Sequence, residues 1–175
     1  MKFTPTKLSG LLIVEPEFKT DERGFFARSW CAGEMIENGL NPQLSQCSIS
    51  FNAKVGTLRG LHYQDYPKPE DKLVRCTMGR IFDVAVDIRP DSDTYLEWFG
   101  IELSAENRLG LYIPRGFAHG FQTLCDGCEV FYMISEFYDP ALSRGMRYDD
   151  PKIGVEWPVK GNIIISDRDL NFPLS

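Results

Sequence analysis

The chain has only two histidines, and each stands in a dense polar context: Arg59-Gly60-Leu61-His62-Tyr63-Gln64 and Pro114-Arg115-Gly116-Phe117-Ala118-His119-Gly120. An imidazole titrates near pH ~6.5 when unperturbed, which makes His62 a natural general base at neutral pH. Such a base needs a carboxylate to orient its second nitrogen. Asp83, Asp87, Asp167 and Asp169 have the right type, and spacing alone does not choose among them. Tyr132, in Glu129-Val130-Phe131-Tyr132-Met133, is either a proton donor or an aromatic of a strand. Lys72, heading Lys72-Leu73-Val74-Arg75, is either a cation placed to stabilise an oxyanion or a solvated strand end.

These residues lie in short β-rich runs punctuated by Gly, Pro, Asn and Asp. The pattern predicts strands over Leu11–Val14, Phe25–Trp30, Leu44–Phe51, Thr57–Gln64, Leu73–Thr77, Ile81–Ile88, Phe99–Leu103, Leu109–Ile113, Gly120–Leu124, Glu129–Phe137 and Ile163–Ile165. In Ile81–Ile88, Phe82, Val84, Val86 and Ile88 share one face and Asp83 and Asp87 the other, the alternation of a strand with a dry and a wet side. One helix is expected over Ala32–Asn38, stopped by Gly39. No helical crossovers separate the strands, so the fold class is all-β, an antiparallel sandwich or jelly roll with one or two short helices. A small barrel of the cupin type usually holds metal through three histidines and a Glu. Two histidines cannot complete that set, which disfavours metal, and a catalytic metal held by two histidines and carboxylates is the alternative.

At 175 residues with 43% apolar content, residues 1–175 fit a single domain with its own core. A formal charge of −6 argues against nucleic acid or an anionic membrane as partner, and any phosphate must meet local basic residues. The apolar run near the N-terminus, bounded by Gly10 and Glu15-Pro16, is too short for a signal sequence or a membrane span, and a cytoplasmic protein is expected. The five cysteines (31, 47, 76, 125 and 128) suit reduced thiols better than a disulfide framework. Asp126-Gly127 inside Cys125-x-x-Cys128 reads as a two-residue hairpin turn that places the two cysteines on facing strands, with redox or metal work as the alternative.

From about Ile13 to Pro173 the chain resembles the dTDP-4-dehydrorhamnose 3,5-epimerase family. The resemblance is carried by Asp21-Glu22-Arg23-Gly24-Phe25-Phe26, Gly56-Thr57-Leu58-Arg59-Gly60-Leu61-His62-Tyr63-Gln64, Lys72-Leu73-Val74-Arg75, Phe82 to Arg89, Gly116-Phe117-Ala118-His119-Gly120-Phe121 and Arg144-Gly145 before Asp149-Asp150-Pro151. It implies a cupin-like double-sheet jelly roll, a homodimer whose N-terminal strands reach the neighbour's site, no cofactor, and a nucleotide-diphosphate sugar as ligand. It also implies roles: His62 as base, Asp169 as its orienting carboxylate, Tyr132 as acid on the opposite face, and Lys72 and His119 around the sugar's keto oxygen and hydroxyls. Arg59 and Arg168 resemble diphosphate contacts, Arg23 and Gln46 nucleotide contacts, and Tyr138 the ring that stacks on the base.

A ketone at C4 acidifies the C3 and C5 protons because the carbanion delocalises onto oxygen, and inversion then needs a base on one face and an acid on the other. Arg59 and His62 are three residues apart, so simple alternation points them to opposite faces, and a bulge near Gly60 is needed to bring both into one cavity. Three positions depart from the family pattern. Arg28 and Ser143 stand where Glu is common, and Ser48 where Asn is common, all in the nucleotide-binding part. Losing carboxylate acceptors and gaining a donor points to tolerance of CDP or GDP in place of dTDP. Inversion at C3 or C5 alone, or a sugar-binding or ring-isomerising cupin without epimerase activity, are the other readings.

Overall fold

The computed structural model describes all of residues 1–175. In chain order its elements are β1 (Lys2–Pro5), β2 (Leu12–Glu15), β3 (Lys19–Asp21), β4 (Gly24–Phe26), α1 (Ala32–Glu37), β5 (Gln46–Asn52), β6 (Leu58–Gln64), β7 (Lys72–Met78), β8 (Arg80–Asp87), β9 (Trp98–Ser104), β10 (Gly110–Ile113), β11 (Phe117–Thr123), β12 (Cys128–Ile134), β13 (Ser143–Gly145) and α2 (Asp167–Leu170). Six strands form one sheet in the order β1-β2-β10-β7-β12-β5, and five form a second in the order β13-β6-β11-β8-β9; β3 and β4 make a separate hairpin. Every pairing between these strands is antiparallel. From β6 to β12 the chain changes sheet at every connection except β8 to β9. That is the double-sheet jelly roll expected from a chain of short strands without helical crossovers. No helix is long and apolar enough to cross a membrane.

Apolar packing occurs in three layers. Between the sheets lie Val74, Cys76, Ile81, Ala85, Leu103, Leu111, Phe121 and Val130. Outside the five-stranded sheet, Leu58, Leu61, Val84, Val86 and Ala118 pack against Ile153 and Trp157 of the C-terminal segment. Outside the six-stranded sheet, Val14, Leu73, Tyr112 and Met133 receive Met35 of α1. A fully buried Leu, Ile or Phe stabilises the fold by about 1.5–3 kcal/mol. The three layers leave the interior at one end free to be lined with polar side chains.

Four expectations are corrected by this architecture. Asp83 and Asp87 are not on a wet face, because β8 is buried on both sides and both carboxylates have no exposure. Asp87 instead accepts from Arg89, Ser92 and Thr94, and although burial pushes its pKa up, these bonds win and hold it down at about 2. Asp126-Gly127 does not close a hairpin: β11 and β12 lie in different sheets, so Leu124–Gly127 is a crossing between layers and Cys125 is on no strand. The strand expected over Phe25–Trp30 ends at Phe26. Ile163–Ile165 supplies only a bridge from Ile164 to Thr57, and the chain then turns into α2, a helix the alternating pattern did not reveal. Helix α1 forms as expected and stops before Gly39, whose φ of +70° ends it.

Candidate active site

Strand β6 brings Arg59 and His62 to the same side. Leu58 and Leu61, also three apart, are both buried in the outer layer, so the residues that follow each of them both turn inward. An irregularity in the β6/β11 register accomplishes this: His119 is opposite His62, yet Phe121 is opposite Arg59. Gly60 is the extra residue, at φ +124°. A Cβ there would stand 2.5 Å from Gly120 Cα and 2.8 Å from the His119 carbonyl oxygen, so no larger residue fits. Gly60→Ala is therefore expected to push β6 off β11 and displace both histidines, costing about 1–3 kcal/mol in backbone strain and most of the turnover. Urea unfolding alongside an activity assay checks this, and wild-type values in both would refute it.

His62 Nε2 lies 2.8 Å from Asp169 Oδ1, across 107 residues of sequence. Asp169 is carried by α2, where Ser166 caps the helix by accepting from the Asp169 N–H. Burial pushes the Asp169 pKa up, but hydrogen bonds from His62 and from the Gly60 N–H outweigh it and hold the carboxyl below its usual range. An ionised carboxylate only accepts, so Nε2 carries the hydrogen and Nδ1 is left with a lone pair. Of the four carboxylates with the right type, the fold selects Asp169. Asp83 goes to the other histidine, 2.8 Å from His119 Nε2, and Asp87 and Asp167 bind neither ring.

Tyr132 faces these groups from the other sheet. Strand β12 places it with Val130 and Cys128 on the inward side, and its ring stands edge-on to His119 with centroids 6.1 Å apart. Burial, reinforced by the Asp83 charge and opposed by Arg59, holds the phenol well above its ordinary pKa, so it keeps its proton at neutral pH. A cavity of about 470 Å³ separates the two sheets here, and its walls include His62, His119, Tyr132, Lys72, Arg59, Arg168, Gln46, Ser48, Tyr138 and Ser143. That size is in the usual range for a small-molecule site.

The cationic and amide groups of the lining are held by partners. Arg59 Nε donates to the side-chain oxygen of Asn52 at 2.8 Å, and Asn52 is buried. Arg168 donates to Ser143 Oγ at 2.8 Å, and Gln46 accepts from the Tyr138 N–H at 3.0 Å. Buried Gln64 accepts from the Asp139 N–H and donates to the Phe137 carbonyl, which fixes the loop bearing Tyr138. Lys72 Nζ lies 2.7 Å from Glu70 Oε1, with both side chains about nine-tenths buried. Glu70 and Asn52 escaped sequence reading. Glu70 had a signal, two residues before Lys72 in a proline-flanked loop, whereas Asn52 had none.

Arg23 and Arg28 are not in this cavity. Arg23 sits at the exposed tip of the β3–β4 hairpin, paired with Asp21, and Arg28 pairs with Glu34 at 2.6 Å beside the N-terminus. The hairpin is exposed along its whole length and lines no wall of this cavity, which alternation along a strand does not reveal. A second cavity of about 680 Å³ shares Tyr63, Gln64 and Glu70 with the first. It contains neither histidine, and its arginines, Arg89 and Arg115, are taken by Asp87 and Asp71. The groups able to move protons are gathered in the smaller cavity.

The fold is a jelly roll with one cavity that gathers groups able to take and give protons, and comparison with known proteins makes it an isomerase of nucleotide sugars and supplies the family. The family model described as dTDP-4-dehydrorhamnose 3,5-epimerase matches residues 5–175. The chain belongs to that family. The dTDP-4-dehydrorhamnose 3,5-epimerase of Methanothermobacter thermautotrophicus is 48% identical over 98% of this chain and 92% of its own length. The crystal structure of the enzyme from Elizabethkingia anophelis superposes with a TM-score of 0.96 at 39% identity, covering 99% of this chain and 96% of the other. The dTDP-6-deoxy-D-glucose-3,5-epimerase of Legionella pneumophila, solved with dTDP-4-keto-L-rhamnose, gives 0.93 at 37% identity, covering 99% and 92%.

Proposed function

We propose that the chain inverts both C3 and C5 of a dTDP-linked 4-keto-6-deoxyhexose through an enolate, with His62 as base and Tyr132 as acid. The observation that carries this is the opposition of the Asp169-bound imidazole on one sheet and the protonated phenol on the other, across one small cavity. Nδ1 of His62 removes the proton beside the ketone, and the electron pair moves onto the C4 oxygen. Lys72, held by Glu70, stabilises that oxygen, and Tyr132 returns a proton from the opposite face. The phenol is a weak acid here, but the carbon it protonates is a weaker one. Arg59 and Arg168 meet the diphosphate, Gln46 and Tyr138 the nucleoside, and His119 the sugar hydroxyls. Deuterium wash-in at C3 and C5, followed by NMR in D₂O with the dTDP sugar, tests the whole reading. Label at one carbon only would reduce it to a single epimerisation.

Of the three departures that pointed to another nucleotide, only Ser48 and Ser143 line the cavity, and Ser143 already accepts from Arg168. The Arg28 charge is met by Glu34, so it brings no net positive field to a base. We therefore expect calorimetric titration to show dTDP binding at least about tenfold tighter than CDP or GDP, a difference of about 1.4 kcal/mol. Equal affinities would restore the alternative.

The reading includes a homodimer working in the cytoplasm, with residues 1–175 as one catalytic domain. Edge strand β5 exposes Ile49 and Phe51 on its outer face, and the β3–β4 hairpin exposes Phe25 and Phe26. Covering them with a second copy would bring Arg23 to that copy's nucleotide, and sedimentation should accordingly report twice the 20.0 kDa chain mass. A monomer that turns over would remove Arg23 from the site.

A further inference from the structure

Leu124–Gly127 carries the chain from β11 in one sheet to β12 in the other, and Cys125 and Cys128 face each other across it with Sγ atoms 3.5 Å apart. The crossing is fixed on both sides. Asp126 accepts from the Val55 N–H at 2.8 Å and from Lys54 at 3.1 Å, Gly127 N donates to the Ala53 carbonyl, and Leu124 N to the Arg80 carbonyl. The sulfurs fill a space that Gly79 leaves open: a Cβ at Gly79 would stand 2.8 Å from the Cys128 sulfur and 3.0 Å from that of Cys125. Cys125 is partly exposed and Cys128 is buried. A third thiol, Cys76, is also buried.

We propose that Cys125 and Cys128 are a redox pair that closes to a disulfide in exchange with a small-molecule disulfide, stapling the crossing between the two sheets. The sulfur of Cys125, which solvent reaches, attacks one sulfur of oxidised glutathione and releases the other glutathione as its thiol. Cys128 then attacks the Cys125 sulfur of the mixed disulfide and expels the second glutathione. Two protein thiols are oxidised, one disulfide is reduced, and the two thiol protons leave on the two glutathiones. Burial pushes the Cys76 thiol up to about 12 and raises that of Cys128, which favours first attack at the solvent-facing member of the pair.

The test is to incubate the intact protein with oxidised glutathione, unfold it in the presence of an alkylating agent, and weigh its peptides. The expected product is a peptide spanning Cys125 to Cys128 that is unalkylated and lighter by two hydrogens, both of its thiols recovering with dithiothreitol. Cys128→Ser should stop at a glutathione adduct on Cys125, and Cys125→Ser should leave Cys128 fully alkylated, any adduct on the exposed Cys47 being counted apart. Should Cys128→Ser fail to fold, mapping of the unmutated protein and Cys125→Ser still decide the matter. Five free thiols, a bridge from Cys128 to Cys76, or a Cys125 adduct that never closes in the unmutated protein would overturn the proposal.

Discussion

His62→Ala is expected to abolish deuterium wash-in at C3 and at C5 together, a loss of at least about 10²- to 10⁴-fold. The reason is that one base serves both carbons. Among the lining groups only the two histidines pair an imidazole nitrogen with a carboxylate, and His62 is the one open to a ligand, its side chain 38% exposed against 5% for His119. The ring itself does little for the fold, since it is partly exposed and its edge rests on Phe172 with centroids 5.7 Å apart. A normal unfolding curve with no exchange is thus the expected combination. Asp169→Asn should act in the same direction, because an amide that can donate no longer specifies which imidazole nitrogen carries the hydrogen. Exchange at near-normal rates in His62→Ala would remove the imidazole from the mechanism.

Much of this site could be anticipated, and what could not follows a physical pattern. His62, Tyr132 and Lys72 were legible as types capable of proton transfer and oxyanion stabilisation. The need for a bulge at Gly60 was legible from the three-residue spacing of Arg59 and His62, and the β6/β11 register bears it out. Alternation, however, reports two faces of a strand without saying which faces a barrel's interior. That is why Asp83 and Asp87 read as solvated when both are buried. Local turn chemistry has the same limit, because Asp126-Gly127 suits a tight turn equally well within one sheet or between two. The choice of Asp169 required a contact spanning 107 residues and a helix of only four, too short to leave a periodic trace. Arg23 and Arg28 resembled nucleotide contacts through their motif, yet the fold holds both outside the cavity, paired with Asp21 and Glu34.

Tyr132→Phe separates the two halves of the proposed reaction. The substitution keeps the ring, its packing against the core between the sheets and its edge contact with His119, and removes only the hydroxyl. His62 stands on the opposite sheet with its Asp169 partner intact, so it can still take a proton, exchange it with solvent and return it to the face it came from. What is lost is delivery from the other face. The variant should therefore keep deuterium exchange with retention of configuration while net inversion falls by about 10²- to 10⁴-fold. The high pKa of the phenol sharpens the expectation, since Tyr132 holds its proton across the neutral range and no ionised form needs to be replaced. NMR in D₂O reads both quantities in one experiment, wash-in from the loss of the C3 and C5 proton signals and inversion from the appearance of the epimer. If exchange and inversion fall together, Tyr132 serves to bind the sugar or to pack the barrel, and the acid must be sought among the other groups that line the cavity, with Lys72 first.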